Sequence, residues 1–97
     1  MQFLVLAKGR AAAFKDGAPA DFAEVAAQDA AHAHRAYLGG VLRQMWMREP
    51  GHGPVAIVEA KSAEDVRALF GEWPLFKVGY MEIEVFALYP YAGFAGG

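Results

Sequence analysis

The stretch that decides the fold is Trp73–Leu88, with the sequence WPLFKVGYMEIEVFAL. Its second half alternates, so that one strand face carries the apolar side chains of Met81, Ile83, Val85 and Ala87. The opposite face mixes aromatic, acidic and aliphatic side chains, namely those of Tyr80, Glu82, Glu84, Phe86 and Leu88. A period of two predicts a β-strand whose apolar face lies beneath helices. The mixed face is either solvated or the wall of a lined cavity.

The segment before this strand begins with a short apolar run and continues into a long helical pattern. Gln2–Lys8 is rich in Phe, Leu and Val, which predicts a first strand. Asp21–Leu38 is rich in alanine, the strongest helix former, and its larger apolar residues recur at steps of three and four. Gly39–Gly40 then ends this predicted helix as a C-cap pair.

The middle of the chain predicts a β-hairpin followed by a second helix. Val41–Arg48 and Val55–Ala60 have strand composition and are separated by the turn-forming stretch Glu49–Pro54. Ser62 is a typical N-cap residue, with acidic residues behind it in the first turn of the helix.

The predicted order is therefore β-α-β-β-α-β, which is the ferredoxin-like split βαβ arrangement of the α+β class. Two helices cover one face of a four-stranded antiparallel sheet and leave the other face bare. A partly apolar sheet face on a small domain has to be covered. We therefore expect two such sheets to pair into a dimeric α+β barrel.

Length and composition limit the class of protein. The 97 residues are enough for a single domain, 1–97, in which 89–97 form an aromatic C-terminal tail. The 56% hydrophobic content is high for so short a chain and favours a homo-oligomer, at least a dimer. A net charge of -2 without a basic stripe argues against nucleic acid. No apolar run approaches the roughly 20 residues that cross a membrane, so we expect a cytoplasmic protein.

Three features resemble the muconolactone isomerase family in their order and spacing. They are the run Arg43–Trp46, the pair Gly51–His52, and Pro74–Phe76 followed by Tyr80–Val85. The resemblance implies a dimeric α+β barrel that often assembles into larger rings. It also implies a cofactor-free reaction, in which a double bond of a small unsaturated lactone moves by abstraction and return of a proton.

The resemblance also points to a position for the catalytic acid–base group. The family has a glutamate on the first helix with lysines nearby, and the matching position in this chain is Asp29, whose neighbours are alanines. The chain has no lysine between Lys15 and Lys61, its turn before His52 is one residue longer, and its C-terminal tail differs.

Asp29 is also the best candidate base on physical grounds. It falls within the apolar stripe of the first helix, where burial would raise the pKa of a carboxyl group toward neutrality. His32 follows three residues later, so the two side chains can meet and together shuttle a proton. The alternative is that Asp29 lies at the edge of the stripe and pairs with His32 or Arg35.

Arg43 is the candidate for binding a substrate carboxylate. Strand alternation predicts that it faces the same way as Met45, and its guanidinium could form a two-pronged hydrogen bond. The alternative is a cross-strand ion pair with Glu82 or Glu84. If these two carboxylates line a barrel, Arg43 and Arg48 are their expected partners.

Four further residues are expected around the substrate. Trp46 and Tyr80 would form walls of the pocket, and Glu84 would belong to its inner lining. His52 would reach the mouth of the pocket from the Gly/Pro turn. The alternatives are a core or interface position for Trp46, a solvated position for His52, and solvent exposure at a sheet edge for Glu84.

No metal or cofactor site is predicted. His32 and His34 would project about 200° apart on a helix, and the sequence has no phosphate-binding loop or Ser-His-Asp spacing. We therefore expect a cofactor-independent isomerase acting on a small, anionic, unsaturated or lactone-like molecule. The alternative is a non-catalytic small-molecule-binding or assembly module that uses the barrel as a dimer scaffold. Haem degradation is a third possibility, supported only by analogy of fold.

Overall fold

The computed structural model describes residues 1–94, which form one four-stranded antiparallel sheet and three helices. The strands are β1 (Gln2–Gly9), β2 (Leu42–Met47), β3 (Pro54–Glu59) and β4 (Met81–Ala87). The helices are α1 (Phe22–Leu38), α2 (Ala63–Gly71) and α3 (Pro74–Lys77). The strand order is β2-β3-β1-β4, so the predicted split βαβ fold is confirmed. The four-residue helix α3 was not predicted, because it is too short to show a helical period.

The hydrophobic core lies between the helices and one face of the sheet. Its buried members are Phe3, Val5, Leu42, Ala56, Val58, Val66, Phe70 and Trp73. The β1–β4 register places Val5 opposite Val85 and Ala7 opposite Ile83, so the apolar face of β4 lies beneath the helices as predicted. Burying a side chain of this size contributes roughly 1.5–3 kcal/mol, which makes this face the main source of stability.

Helix α1 ends at the predicted glycine pair. The backbone N–H of Gly40 donates to the carbonyl of Tyr37, and that of Val41 donates to the carbonyl of Ala36. Gly40 has a φ of +81°, a left-handed conformation that L side chains rarely adopt. The reversal after Gly40 therefore directs the chain from α1 straight into β2.

Strand β2 contains a β-bulge that changes which of its side chains share a face. Leu42 is opposite Val58, whereas Gln44 is opposite Ile57, so Arg43 is the extra residue. The simple alternation that placed Arg43 with Met45 is therefore wrong: Leu42 and Met45 share the helix-side face. The bulge allows Leu42 to lie in the core while Met45 stays on the same face further along the strand.

The opposite sheet face is uncovered in the single chain. Half-buried Leu4, Leu6, Val55 and Ile57 form its centre, while Trp46 and Phe86 are 52% and 45% exposed. Beyond β4, the aromatic tail has one turn of 3₁₀-helix at Ala92–Phe94, and residues 95–97 of the predicted tail lie outside the described range. Within residues 1–94, no helix has both the length and the apolar character required to span a membrane.

Candidate active site

A cavity of about 890 Å³ lies at the end of the sheet, between α1 and the hairpin turn that joins β2 to β3. Most of its lining is apolar and comes from Leu6, Phe14, Phe22, Ala26, Ala30, Ala33, Met45, Met47, Pro54, Leu75 and Met81. Its ionisable lining residues are Lys8, Asp29, Arg48, His52 and Glu84. An apolar cavity with a few converging polar groups is the usual form of a small-molecule site.

Asp29 is the acidic group that α1 places in this cavity. Its side chain is 7% exposed, and its Oδ1 accepts a 3.0 Å hydrogen bond from the backbone N–H of Leu75. Burial raises the pKa of Asp29, while the hydrogen bond from Leu75 and the charge of His32 act in the opposite direction. A carboxyl group with a raised pKa in an apolar cavity has the properties of a general base.

Within the described chain, one of the two carboxylate oxygens of Asp29 has a hydrogen-bond partner. Among residues 1–94, Oδ1 is the oxygen with a hydrogen-bond partner, and no side-chain oxygen in that range is both buried and without one. Oδ2 therefore keeps some accessible surface, and Asp29 belongs to the lining of the cavity. The carboxylate is held in place by one oxygen and has the other available.

The hydrogen-bond donor of Leu75 is available because of its place in α3. The first N–H groups of a helix have no partner within the helix, and Pro74, at the first position, has no N–H. Leu75 therefore offers the first free amide of α3. Trp73, which precedes the helix, is 2% exposed, so the amide is presented from a rigid part of the core.

His32 lies close to Asp29 without being bonded to it. It is half-buried one turn further along α1, and its charge is the smallest of the three effects on the pKa of Asp29. In the described part of the chain, Asp29 forms no ion pair with His32 or Arg35, and His32 does not line the cavity. The structure thus favours the buried position of Asp29 over the alternative of an edge position paired with its helix neighbours.

Arg43 is not part of the cavity. It is exposed at the bulge, and its charge lowers the pKa of Glu59. The pKa of Glu59 is lowered first by the hydrogen bond from the N-terminal ammonium of Met1, and least by the charge of Arg43. Arg43 lies outside the cavity because of the bulge, which removes it from the alternation that would have aligned it with Met45.

The cavity contains a different arginine, Arg48. Its Nε donates to the carbonyl of Gly53 and its Nη2 donates to the carbonyl of Ala7, both at 2.8 Å. These bonds close the gap between β1 and β3 beyond their last pair, Leu6 and Val55. Sequence reasoning considered Arg48 only as a carboxylate partner. The sequence did contain a signal for this contact. Arg48 comes directly before the hairpin turn and Gly53 ends it, and a hairpin brings the two ends of its turn together.

Trp46 and Tyr80 are not brought into the cavity. Trp46 lies opposite Val55 on the bare sheet face. Tyr80 precedes β4, and its hydroxyl donates a 2.7 Å hydrogen bond to Asp21 at the start of α1. That hydrogen bond, together with the charge of Asp21, raises the pKa of Tyr80. The alternation of β4 does not extend to Tyr80, because the strand begins at Met81.

His52 and Glu84 do line the cavity, both as exposed residues at its margin. His52 is 3.8 Å from the carboxylate of Glu49 within the same turn. Glu84 lies on the bare face of β4, opposite Leu6. The cavity therefore opens toward that face, and its lining includes residues from both sides of the sheet.

The ion pairs expected for the acidic face of β4 are different from those observed. Glu82 lies 3.7 Å from the ammonium of Lys8 and 3.5 Å from the guanidinium of Arg10. Neither Glu82 nor Glu84 pairs with Arg43 or Arg48 within the described residues. Register explains this result, since Lys8 is directly opposite Glu82.

The apolar wall formed by β2 was also missed. Met45 and Met47 lie on the helix-side face opposite Ala56 and Pro54, and both line the cavity. Methionine adapts to ligands of different shape. Across residues 1–94, no three His, Cys, Asp or Glu side chains come together in a way that could hold a metal ion.

Comparison with known proteins gives the chain a family. The model of the muconolactone delta-isomerase family matches residues 1–93. No curated protein matches the sequence. The structure is similar to the crystal structure of a muconolactone isomerase, with a TM-score of 0.74, 24% sequence identity, and coverage of 100% of this chain and 97% of that chain.

A second similar structure is a 5-chloro-2-hydroxyhydroquinone dehydrochlorinase from Burkholderia phenoliruptrix AC1100, in complex with 2,5-dihydroxybenzoquinone. Its TM-score is 0.67 and its sequence identity is 18%, with coverage of 96% of this chain and 98% of that chain. At these identities the two structures share the fold with this chain. The match of the family model over nearly the whole length shows more: the chain belongs to the muconolactone delta-isomerase family.

Proposed function

We propose that this chain is a cofactor-independent isomerase that moves a proton within a small, anionic, unsaturated lactone such as muconolactone. The burial of Asp29 in the cavity is the observation that supports this proposal most strongly. Asp29 is the one buried charged residue among residues 1–94, its pKa is raised by burial, and one of its oxygens keeps some accessible surface. Membership of the family supplies the reaction class.

The proposed reaction needs a base and no external electron acceptor. The carboxylate of Asp29 removes the proton from the ring carbon at the far end of the conjugated system from the carbonyl. The electron pair of that C–H bond delocalises through the double bond onto the lactone carbonyl oxygen. Asp29, now protonated, returns the proton to the carbon next to the carbonyl, so the double bond moves one position and the atoms balance.

The surroundings of Asp29 support this cycle. The alanines of α1 and the methionines of β2 give the cavity an apolar wall, and an apolar wall around the carboxylate slows exchange of the abstracted proton and strengthens electrostatic interactions. The fixed bond from Leu75 holds the carboxylate in one orientation. In this proposal His32 adjusts the pKa of Asp29 by its charge from outside the cavity and does not carry the proton itself.

We also propose that the active form is at least a dimer. The bare sheet face exposes Trp46 and Phe86 around a centre of half-buried aliphatic side chains. Pairing this face with that of a second copy would bury an apolar surface that single chains rarely leave open. It would also cover the side of the cavity at Glu84.

The test is turnover of muconolactone in deuterated water, followed by NMR. The proposal expects a shifted double bond, with little deuterium in the product, and loss of both signals in Asp29→Asn. A non-catalytic binding module is the competing outcome. Saturable binding of muconolactone without double-bond migration or deuterium exchange would establish that alternative and refute the isomerase.

A further inference from the structure

We infer that Arg48, and not Arg43, holds the carboxylate of the substrate in this cavity. The inference deepens the proposed function, on which it rests, by naming the group that recognises the anion. It starts from the position of Arg48, which is half-buried in the lining of the cavity that contains Asp29.

The charge of Arg48 is not neutralised by any carboxylate of residues 1–94. Within residues 1–94, no carboxylate lies within ion-pair distance of its guanidinium; its two partners are the backbone carbonyls of Ala7 and Gly53. Carbonyl dipoles offset only part of a full charge. A half-buried cation without a counter-ion is therefore available to an incoming anion.

Arg48 also has hydrogen-bond donors to spare. A guanidinium carries five N–H groups, and the bonds to Gly53 and Ala7 use two of them, so three remain. Two of the three belong to Nη1, which has no partner among the described residues. Because no side-chain nitrogen in that range is both buried and unpartnered, Nη1 is open to the cavity or to solvent. The planar edge of Nη1 and Nη2 can therefore bind a carboxylate through two hydrogen bonds.

The guanidinium is fixed before any ligand arrives. Two 2.8 Å bonds, to the carbonyl of Ala7 in β1 and to that of Gly53 in the hairpin turn, set both the position and the plane of the group. Binding then costs little side-chain entropy, which is usually large for arginine. A lysine at this position could not be held in the same way, since its ammonium has no planar fork.

The other cations of the cavity are poorer candidates. Lys8 is exposed and shares Glu82 with Arg10, and exposed His52 lies beside Glu49. Each of them thus has an acidic neighbour that competes with a ligand carboxylate. Arg48 combines partial burial, fixed orientation and the absence of an acidic partner in the described chain.

Gly53 is the positioning residue for this group. A Cβ at Gly53 would lie 2.2 Å from the carbonyl oxygen of Ala7, which is the acceptor of the Arg48 bond. Only glycine lets the two backbones approach closely enough for one guanidinium to reach both carbonyls. The residue thus acts on ligand binding through Arg48 without touching the ligand.

The test uses equilibrium binding in the Asp29→Asn background, so that it does not depend on turnover. The probes are muconolactone and its uncharged methyl ester, and the expected result is that the acid binds about 10–100-fold more tightly, the range of a charge-assisted hydrogen-bonded pair. Adding Arg48→Met should abolish this preference, whereas Arg43→Met should preserve it. An unchanged preference in Arg48→Met, loss of it in Arg43→Met, or no binding of the acid would each overturn the inference.

A second measurement guards against misfolding of the Arg48 variant. In Asp29→Asn with Arg48 intact, the ¹⁵Nε–¹Hε NMR signal of Arg48 should move on titration with the acid and stay in place with the ester. If the chemical shift of this signal changes with neither ligand, the inference is contradicted. If the acid binds through Arg48 but wild-type protein never isomerises it, the proposed function fails and the anion site stands.

Discussion

The backbone N–H of Leu75 donates a 3.0 Å hydrogen bond to Oδ1 of Asp29, joining two residues 46 positions apart in the chain. This bond connects the middle of α1 to the beginning of α3. It fixes the carboxylate and also favours its ionised form, so this one bond partly offsets the effect of burial on the pKa of Asp29.

Replacing Asp29 with asparagine should lower kcat for muconolactone by about 10²–10⁴-fold, the usual contribution of a general base. Asparagine has nearly the same shape, and its oxygen can still accept the bond from Leu75, so the fold should persist. Steady-state kinetics and circular dichroism measure the two effects. Glu24→Gln, an exposed change on the same helix, is the matched control and should keep wild-type rates.

The acidic limb of the pH–rate profile should lie above the ordinary aspartate pKa of about 3.9, because burial raises the pKa of Asp29. His32→Gln should move this limb to still higher pH, since it removes a positive charge that favours the ionised carboxylate. The measurement is kcat/KM from pH 3.5 to 8. A limb that moves to lower pH in the His32 variant would contradict the electrostatic role assigned to that residue.

The stability of the folded chain should decrease as pH rises through the range in which Asp29 ionises, because the pKa of Asp29 is raised on folding. Between the unfolded and folded pKa values of Asp29, the folded chain binds more protons, so this residue lowers the free energy of unfolding as pH rises through that window. Asp29→Asn should therefore have a higher Tm than wild type at pH 7, and the difference should shrink below about pH 3.9. Thermal unfolding at several pH values measures this difference.

Gly53→Ala should destabilise the protein by about 1–3 kcal/mol, the typical cost of forcing atoms into a filled space. The added Cβ would meet the Ala7 carbonyl oxygen at 2.2 Å, and that atom belongs to the sheet backbone. Gly71→Ala is the control, because a Cβ there meets nothing within 4 Å. We expect this control to leave the free energy of unfolding within about 0.5 kcal/mol of wild type, because Gly71 is the last residue of α2 and its Cβ would be in open space. Urea unfolding compares the two variants.

Trp46→Glu should convert a dimer into monomers, because it places a charge on the bare sheet face that we expect to be the subunit contact. Sedimentation equilibrium measures the mass. Tyr37→Glu changes a residue of similar exposure, 57% against 52%, on the helix side of the molecule, and should leave the mass unchanged. The expected contact surface is wrong if only the Tyr37 variant dissociates.

Local patterns were sufficient to predict the fold and the burial of Asp29. The alternation of Met81–Ala87 and the glycine pair after α1 are local signals, and each is confirmed by the sheet register or the helix end. Asp29 was found because it interrupts an apolar helical stripe, which is also a local pattern. Its burial is confirmed, and its catalytic role stays a prediction.

The proposed substrate-binding side of the cavity depends on geometry that no local pattern contains. One bulge residue invalidated the alternation that had placed Arg43, and the start of β4 one residue after Tyr80 did the same for the tyrosine. The bonds of Arg48 to Ala7 and of Leu75 to Asp29 span 41 and 46 positions. Such long-range contacts follow from how the elements pack together, and a single sequence does not reveal them.

The bulge in β2 has a consequence for how this chain can change in length. Arg43 is the supernumerary residue of the strand, so deleting it would leave a regular ladder in which Leu42 still faces the core and Met45 still faces the cavity. Gln44 would likewise keep its face. Deletion of Arg43 would therefore leave the side chains of β2 on their present faces. A single-residue deletion later in the strand would instead exchange cavity-lining and outward-facing side chains.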